Sequence, residues 1–154
     1  MEKVCIIGSR TLTDEKIIDL HSSLNQLTLS SKTVFTTGGC GGISIEAVKY
    51  FISHDICSNL QIWLSKKIEN IPLIVKPIVM QAKKMGATII EPQSNSENYL
   101  QNIIKRNIEM IADCDICFGW RFNRSKGTTA ELYHAAQFRK KIILHDYDTM
   151  QLKL

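Results

Sequence analysis

Short apolar runs alternate with longer amphipathic stretches along this chain. Six runs, VCIIG (4–8), TVFTT (33–37), LQIWL (60–64), ATII (87–90), DICFG (115–119) and KIILH (141–145), are rich in β-branched and aromatic residues and are continuous rather than alternating. A continuous run fits a strand covered on both faces, as in a parallel sheet. Helix-length segments separate the runs. This βαβα order predicts an α/β fold: a single doubly wound domain whose mostly parallel sheet, of about five or six strands, carries helices on both faces.

Local signals place some of the helices. Ser94-Asn95-Ser96-Glu97 reads as a capping box opening the fourth helix, and Leu100, Ile104, Ile108 and Ile111 then form a stripe expected to lie against the sheet. Pro77 suits the first turn of a helix that runs to about Met85, with Gly86 as its stop. Residues 65–76 read as a loop over the site.

Composition narrows the class. With 154 residues, 44% hydrophobic and 22% charged, the chain is long enough for one core and shows no bias toward disorder. The formal charge of +4 is scattered, in runs no longer than Arg139-Lys140-Lys141. That pattern argues against nucleic acid as a partner and for a small anionic ligand. Five cysteines without a regular framework suit a reducing compartment. The opening MEKVCIIGSR is too brief for a signal peptide or a bilayer span, so a cytoplasmic protein with no membrane partner is expected.

Candidate chemistry gathers in three loops that follow strands, where open parallel sheets bind ligands. These are Gly8-Ser9-Arg10, the turn TTGGCGG with its following residues Ile43-Ser44, and the segment from Trp120 to Thr128. Four glycines in seven positions would let backbone approach a ligand, and the helix after them would aim its free amides at an anion. A purely structural reading, a tight strand-to-helix turn, accounts for one or two of the glycines. The dinucleotide pattern GxGxxG fails after the first strand and again at the glycine turn after the second, and Walker A fails for want of GK[ST]. In SKGTTAEL, Ser125, Lys126, Gly127 and Thr128 are candidates for a second anion or hydroxyl contact. Glu131 has two compatible readings: partner of Thr128 in a capping box, which the local sequence favours, or a carboxylate at the mouth of the pocket.

GSR after the first strand, TTGGCGGISIEA after the second, and KRNIEMIADCDICFGW followed by SKGTTAEL resemble the SLOG superfamily over residues 4 to 145. That group includes the LOG phosphoribohydrolases, DprA and small YspA-type proteins. The resemblance implies a Rossmann-like domain whose pocket holds a nucleotide-derived ligand, with Gly38, Gly39, Gly41, Gly42 and Ser44 at its phosphate or ribose. Gly127-Thr128-Thr129-Ala130-Glu131 is similar to the GTxxE half of the LOG motif, and Arg106 to the arginine on the preceding helix. The implied catalytic pair is therefore Glu131 and Arg106, breaking an N-glycosidic bond as LOG enzymes and deoxyribosyltransferases do. Departures shift the balance: Phe118 to Lys126 replaces the family PGG, and Asn107 replaces a lysine. The expectation is a module that senses or sequesters a nucleotide-derived ligand without a further cofactor, with N-glycosidic cleavage as the alternative; a third reading, DprA-like binding of single-stranded DNA, has only modest charge behind it and would show a steep salt dependence. Pairing into a homodimer is implied by the resemblance alone.

Other features have plainer readings. Cys114 and Cys117 are spaced as CxxC, but without a second pair they are expected to be buried thiols and no metal site is assigned. His21, His54, His134 and His145 are unclustered, although His134 follows Glu131 on one helix. Trp120 and Phe122 beside Arg121 and Arg124 offer either a base-stacking platform or core packing under a solvated loop.

Overall fold

The computed structural model describes residues 2–10, 12–27, 32–93, 98–121 and 125–146. Six strands alternate with five helices: β1 (Glu2–Gly8), α1 (Asp14–Leu27), β2 (Thr33–Gly38), α2 (Ile43–Ser53), β3 (Leu60–Trp63), α3 (Lys76–Lys84), β4 (Thr88–Ile90), α4 (Tyr99–Asp113), β5 (Ile116–Arg121), α5 (Lys126–Gln137) and β6 (Lys141–Asp146). All pairings are parallel, in the order β4-β3-β2-β1-β5-β6. The chain lays strands outward from β1 to β4, then returns through α4 to place β5 on the free side of β1. Strand order reverses there, and the crevice beyond the carboxyl ends of β1 and β5 is where such sheets hold ligands. The fold is Rossmann-like.

Side-chain alternation along the strands builds two cores. Val4, Ile6, Phe35, Ile62, Phe118 and Trp120 join Leu20, Leu24, Val48, Phe51 and Val79 on the face covered by α1, α2 and α3. Cys5, Ile7 and Cys117 point to the other face, against Met110 and Ile111 of α4 and Ala135 of α5.

Two helix expectations need correction. The Ser94–Glu97 capping box falls outside the described residues; the cap that is described is Asn98, whose side chain accepts from the amides of Leu100 and Gln101 at 3.0 and 3.2 Å. The stripe is also displaced. Leu100 and Ile104 are 63% and 45% exposed, whereas Arg106, Met110, Ile111 and Cys114 are buried. Hydrophobicity alone misplaces the buried face because an arginine occupies its middle.

Pro77 lies in the first turn of α3, and Gly86 follows its end with φ +110°. Ahead of α3, residues 65–75 are loop and turn apart from one 3-10 turn, Ile68–Asn70, and the expected loop ends where Lys76 opens the helix. Among the described residues no helix is long and apolar enough to cross a membrane.

Candidate functional site

Beyond the carboxyl ends of β1, β2 and β5 lies a cavity of ≈ 410 Å³. Its walls come from Gly8, Ser9 and Arg10 after β1, from Gly38, Gly41 and Ser44 around the glycine turn, from Arg106 on α4, and from Ser125, Gly127, Thr128 and Glu131 on α5. Three sequence-distant loops and one helix face thus meet in one pocket.

The glycine turn divides its work. Gly38 makes room for Arg106: a Cβ there would lie 2.7 Å from the Nη1 atom. Gly42 has φ +59°, and a Cβ on it would strike the backbone of Ser9 and Arg10 at 2.3–2.4 Å, so this glycine docks the second loop against the first. Ile43 N–H then donates to Ser9 O at 3.2 Å. Ser44 follows in the same first turn, where amides have no acceptor within the helix, and it lines the cavity. Gly41, at φ +147°, has open space where a side chain would be. Gly39 does not line the pocket; its Cβ position abuts Leu64 at 2.6 Å on the core side.

Arg106 is 9% exposed, which is costly for a guanidinium unless it is well bonded. Its Nε donates to Asn107 Oδ1 at 2.8 Å, and its Nη1 donates to Trp63 O at 3.3 Å and Cys40 Sγ at 3.1 Å. None of these partners is a carboxylate. Arg106 and Arg10, a second cation at the rim, share the cavity with the Glu131 carboxyl on which both pull.

Glu131 is not a capping residue. Ser125 is the N-cap of α5, accepting from Thr128 N–H at 3.3 Å and from the Thr128 hydroxyl at 3.1 Å. The carboxyl therefore lies deeper, in the cavity wall. Burial pushes its pKa up to about 7, against the opposing pull of Arg106 and Arg10. Near neutral pH it is close to half protonated.

Two further expected contacts lie elsewhere. Trp120 is 1% exposed, packed on Phe118 and His145 with ring centroids 4.7 and 5.3 Å away, so it is core and not a base platform. Lys126 is exposed on the first turn of α5, outside the cavity lining. Phe122 and Arg124 fall outside the described residues. His134 lies against Tyr133 and does not line the cavity.

Leu100, Ile103, Met110, Cys40 and Asn107 complete the wall without having been singled out as ligand contacts. Cys40 carried a signal in its place inside the glycine turn, and Asn107 in its place beside Arg106. A second hollow of ≈ 380 Å³ opens on the other side of Arg106, lined by Trp63, Ile90, Pro92, Lys105 and Glu109 among others. Lys66 sits 4.6 Å over the ring of Tyr99 at the start of α4. Arg10, Lys105, Arg106 and Lys66 thus stand along one edge of the sheet, interspersed with Glu91, Glu109 and Glu131.

A scan of protein-family models finds no match, and a comparison with curated proteins finds none either. Among solved structures, one described as revealing the single-stranded DNA binding mode of DNA processing protein A (DprA) from Helicobacter pylori superposes with TM-score 0.74 at 18% identity, over 99% of this chain and 71% of that one. The chain shares the fold of DNA processing protein A.

This likeness overturns two expectations. A fold that carries single-stranded DNA in another protein removes the ground for arguing against nucleic acid as a partner. With it goes the reading of the pocket as a sensing or sequestering module for a small nucleotide-derived ligand, and its glycosidic-cleavage alternative. Both had rested on charge counted along the sequence and on local motif likeness.

Proposed function

We propose that this chain binds single-stranded nucleic acid along the C-terminal edge of its sheet, with a backbone phosphate seated in the glycine-lined cavity. The observation that carries the reading is Arg106, a buried guanidinium that makes no ion pair with a carboxylate among the described residues, held over Gly38 and lining a cavity with Ser9, Ser44, Thr128 and the raised-pKa Glu131 in its wall. Arginine and backbone amides at a helix start are the groups that hold phosphates. They fix the strand's position without reading its sequence.

The edge has room for more than one nucleotide. From the cavity a strand passes Arg106 into the second hollow, where Lys105, ion-paired with Glu109 at 4.0 Å, and Glu91 stand beside the aromatic wall of Trp63, and then reaches Lys66 and Tyr99. Aromatic surface beside cations suits single strands, whose unstacked bases supply a π-face at every step. The fold of a protein described as binding single-stranded DNA supports the same partner.

The test is fluorescence anisotropy with labelled oligothymidine and a matched duplex. Single strands are expected to bind more tightly than the duplex, and Arg106→Ala to weaken that binding at least tenfold. Equal affinity for both forms, or unchanged affinity in Arg106→Ala, would rule the reading out.

A further inference from the structure

Away from the cavity, Cys5, Cys114 and Cys117 converge from three separate elements. Cys5 on β1 is the direct cross-strand partner of Cys117 on β5, and Cys114 is the C-cap residue of α4. Their sulfurs all lie within 4.8 Å of one another, with Cys114 and Cys117 at 3.5 Å. All three are free and buried, walled by Ile7, Met110, Ile111 and Ala135. Cysteines that serve only as small core hydrophobes have no need to aim their sulfurs at one point. The CxxC spacing shows two of the three; parallel register supplies the third.

Ligand geometry fits this trio. An ion bonded to sulfur at ≈ 2.3 Å keeps its thiolates about 3.8 Å apart in a tetrahedral site and about 4.0 Å apart in a trigonal one. Small side-chain rotations reach either spacing from the observed positions. We propose that Cys5, Cys114 and Cys117 form a three-thiolate site for a soft closed-shell cation, with copper(I) its best fit. Thiolates select copper(I) and zinc, but structural zinc takes four ligands. Among the described residues no further histidine, cysteine or carboxylate belongs to the group, and the apolar wall leaves no place for water.

Each sulfur that ligates gives up its proton to solvent, with no change of oxidation state at sulfur or metal. Lys140, whose ammonium donates to the Ala112 carbonyl at 3.0 Å near the end of α4, supplies positive charge on that side. The cluster lies in the core beneath α4 and α5 and shares Met110 with the wall of the cavity.

The reduced chain, kept anaerobic, is to be titrated with copper(I) and separately with cadmium(II), whose thiolate complexes absorb in the ultraviolet. Expected are proton release and charge-transfer absorbance that both break at one ion per chain, with a rise in melting temperature. Cys5→Ala and Cys117→Ala should lose this uptake, while Cys57→Ala, in the opposite core, keeps it. Melting of the metal-free variants shows whether they fold; if they do not, the two wild-type signals decide alone. Three results would overturn the site: no break at one equivalent with either ion, undiminished uptake by folded Cys5→Ala and Cys117→Ala, or a chain two hydrogens light with Cys114 joined to Cys117 and no metal bound.

Discussion

The guanidinium of Arg106 occupies the space that a side chain on Gly38 would need, with Nη1 only 2.7 Å from where the Cβ would be. The last residue of β2 and the middle of α4 are therefore fitted to each other, and the fit sets where the buried charge points. Substitution of Gly38 by Ala should push the arginine aside. Because the obstructing atoms end a flexible side chain, stability should change by less than ~1 kcal/mol. Affinity for oligothymidine should fall about tenfold, or ~1.4 kcal/mol. Gly42→Ala is the contrast: it meets backbone at 2.3 Å and a positive φ, so it should lower stability by more than ~2 kcal/mol in urea unfolding.

Glu131 makes stability depend on pH in a defined direction. Its pKa rises from 4.5 to about 7 on folding, so between those values the native state holds more protons than the unfolded one. Stability should fall as pH rises through that window and level off above it, by roughly 3 kcal/mol at most. Glu131→Gln removes the ionisation and should melt higher than wild type at pH 8, with the gap closing at pH 4. Ionised Glu131 also faces the phosphate pocket, so wild-type affinity should drop between pH 6 and pH 8 more than that of the Gln variant. Parallel pH profiles for the two proteins would exclude this role.

Asn98 carries the N-cap of α4, the helix that delivers Arg106. Asn98→Ala should cost about 1 kcal/mol of stability, and Asn98→Asp should preserve it, since a carboxylate accepts the same amides and favours the positive end of the helix. Urea midpoints of the three proteins check this.

How much of the molecule was legible from sequence depends on what each feature requires. The six strands were, because continuous β-branched runs report covering on both faces and need no knowledge of neighbours. The place of the pocket and part of its wall also were, since strand-end loops gather at one edge in any open parallel sheet, whereas Leu100, Ile103 and Met110 of α4 needed the helix rotation. Registers and helix rotations were not. Arg106 sits in the buried line of α4 where periodicity alone expects an apolar residue, so the stripe through Leu100 and Ile104 stood in for the true face. Trp120 was ambiguous because one residue of strand phase decides between core and pocket. Cys5 could not be joined to Cys117 before β1 and β5 were known to be adjacent. The position of Glu131 turned on whether Ser125 or Thr128 opens α5, a difference of three residues that places the carboxylate at a cap or in a cavity.

Salt dependence separates phosphate contacts from stacking. On single strands the slope of log Kobs against log salt is about −0.7 for each phosphate neutralised. Arg10 and Arg106 line the cavity, while Lys66 and Lys105 stand farther along the edge. Arg10→Ala should therefore reduce the steepness by about 0.7 and weaken all sequences alike. Trp63→Leu should weaken binding with the slope unchanged, because a stacking contact releases no counterions. Among the described residues the Trp63 indole N–H has no hydrogen-bond partner, and its side chain packs against the core cluster beneath α4 and α5, so the variant's fold is to be checked by melting before its affinity is read. If Arg10→Ala leaves the slope intact, the phosphate does not sit between Arg10 and Arg106, and the path of the strand along this edge is wrong even where single strands still bind.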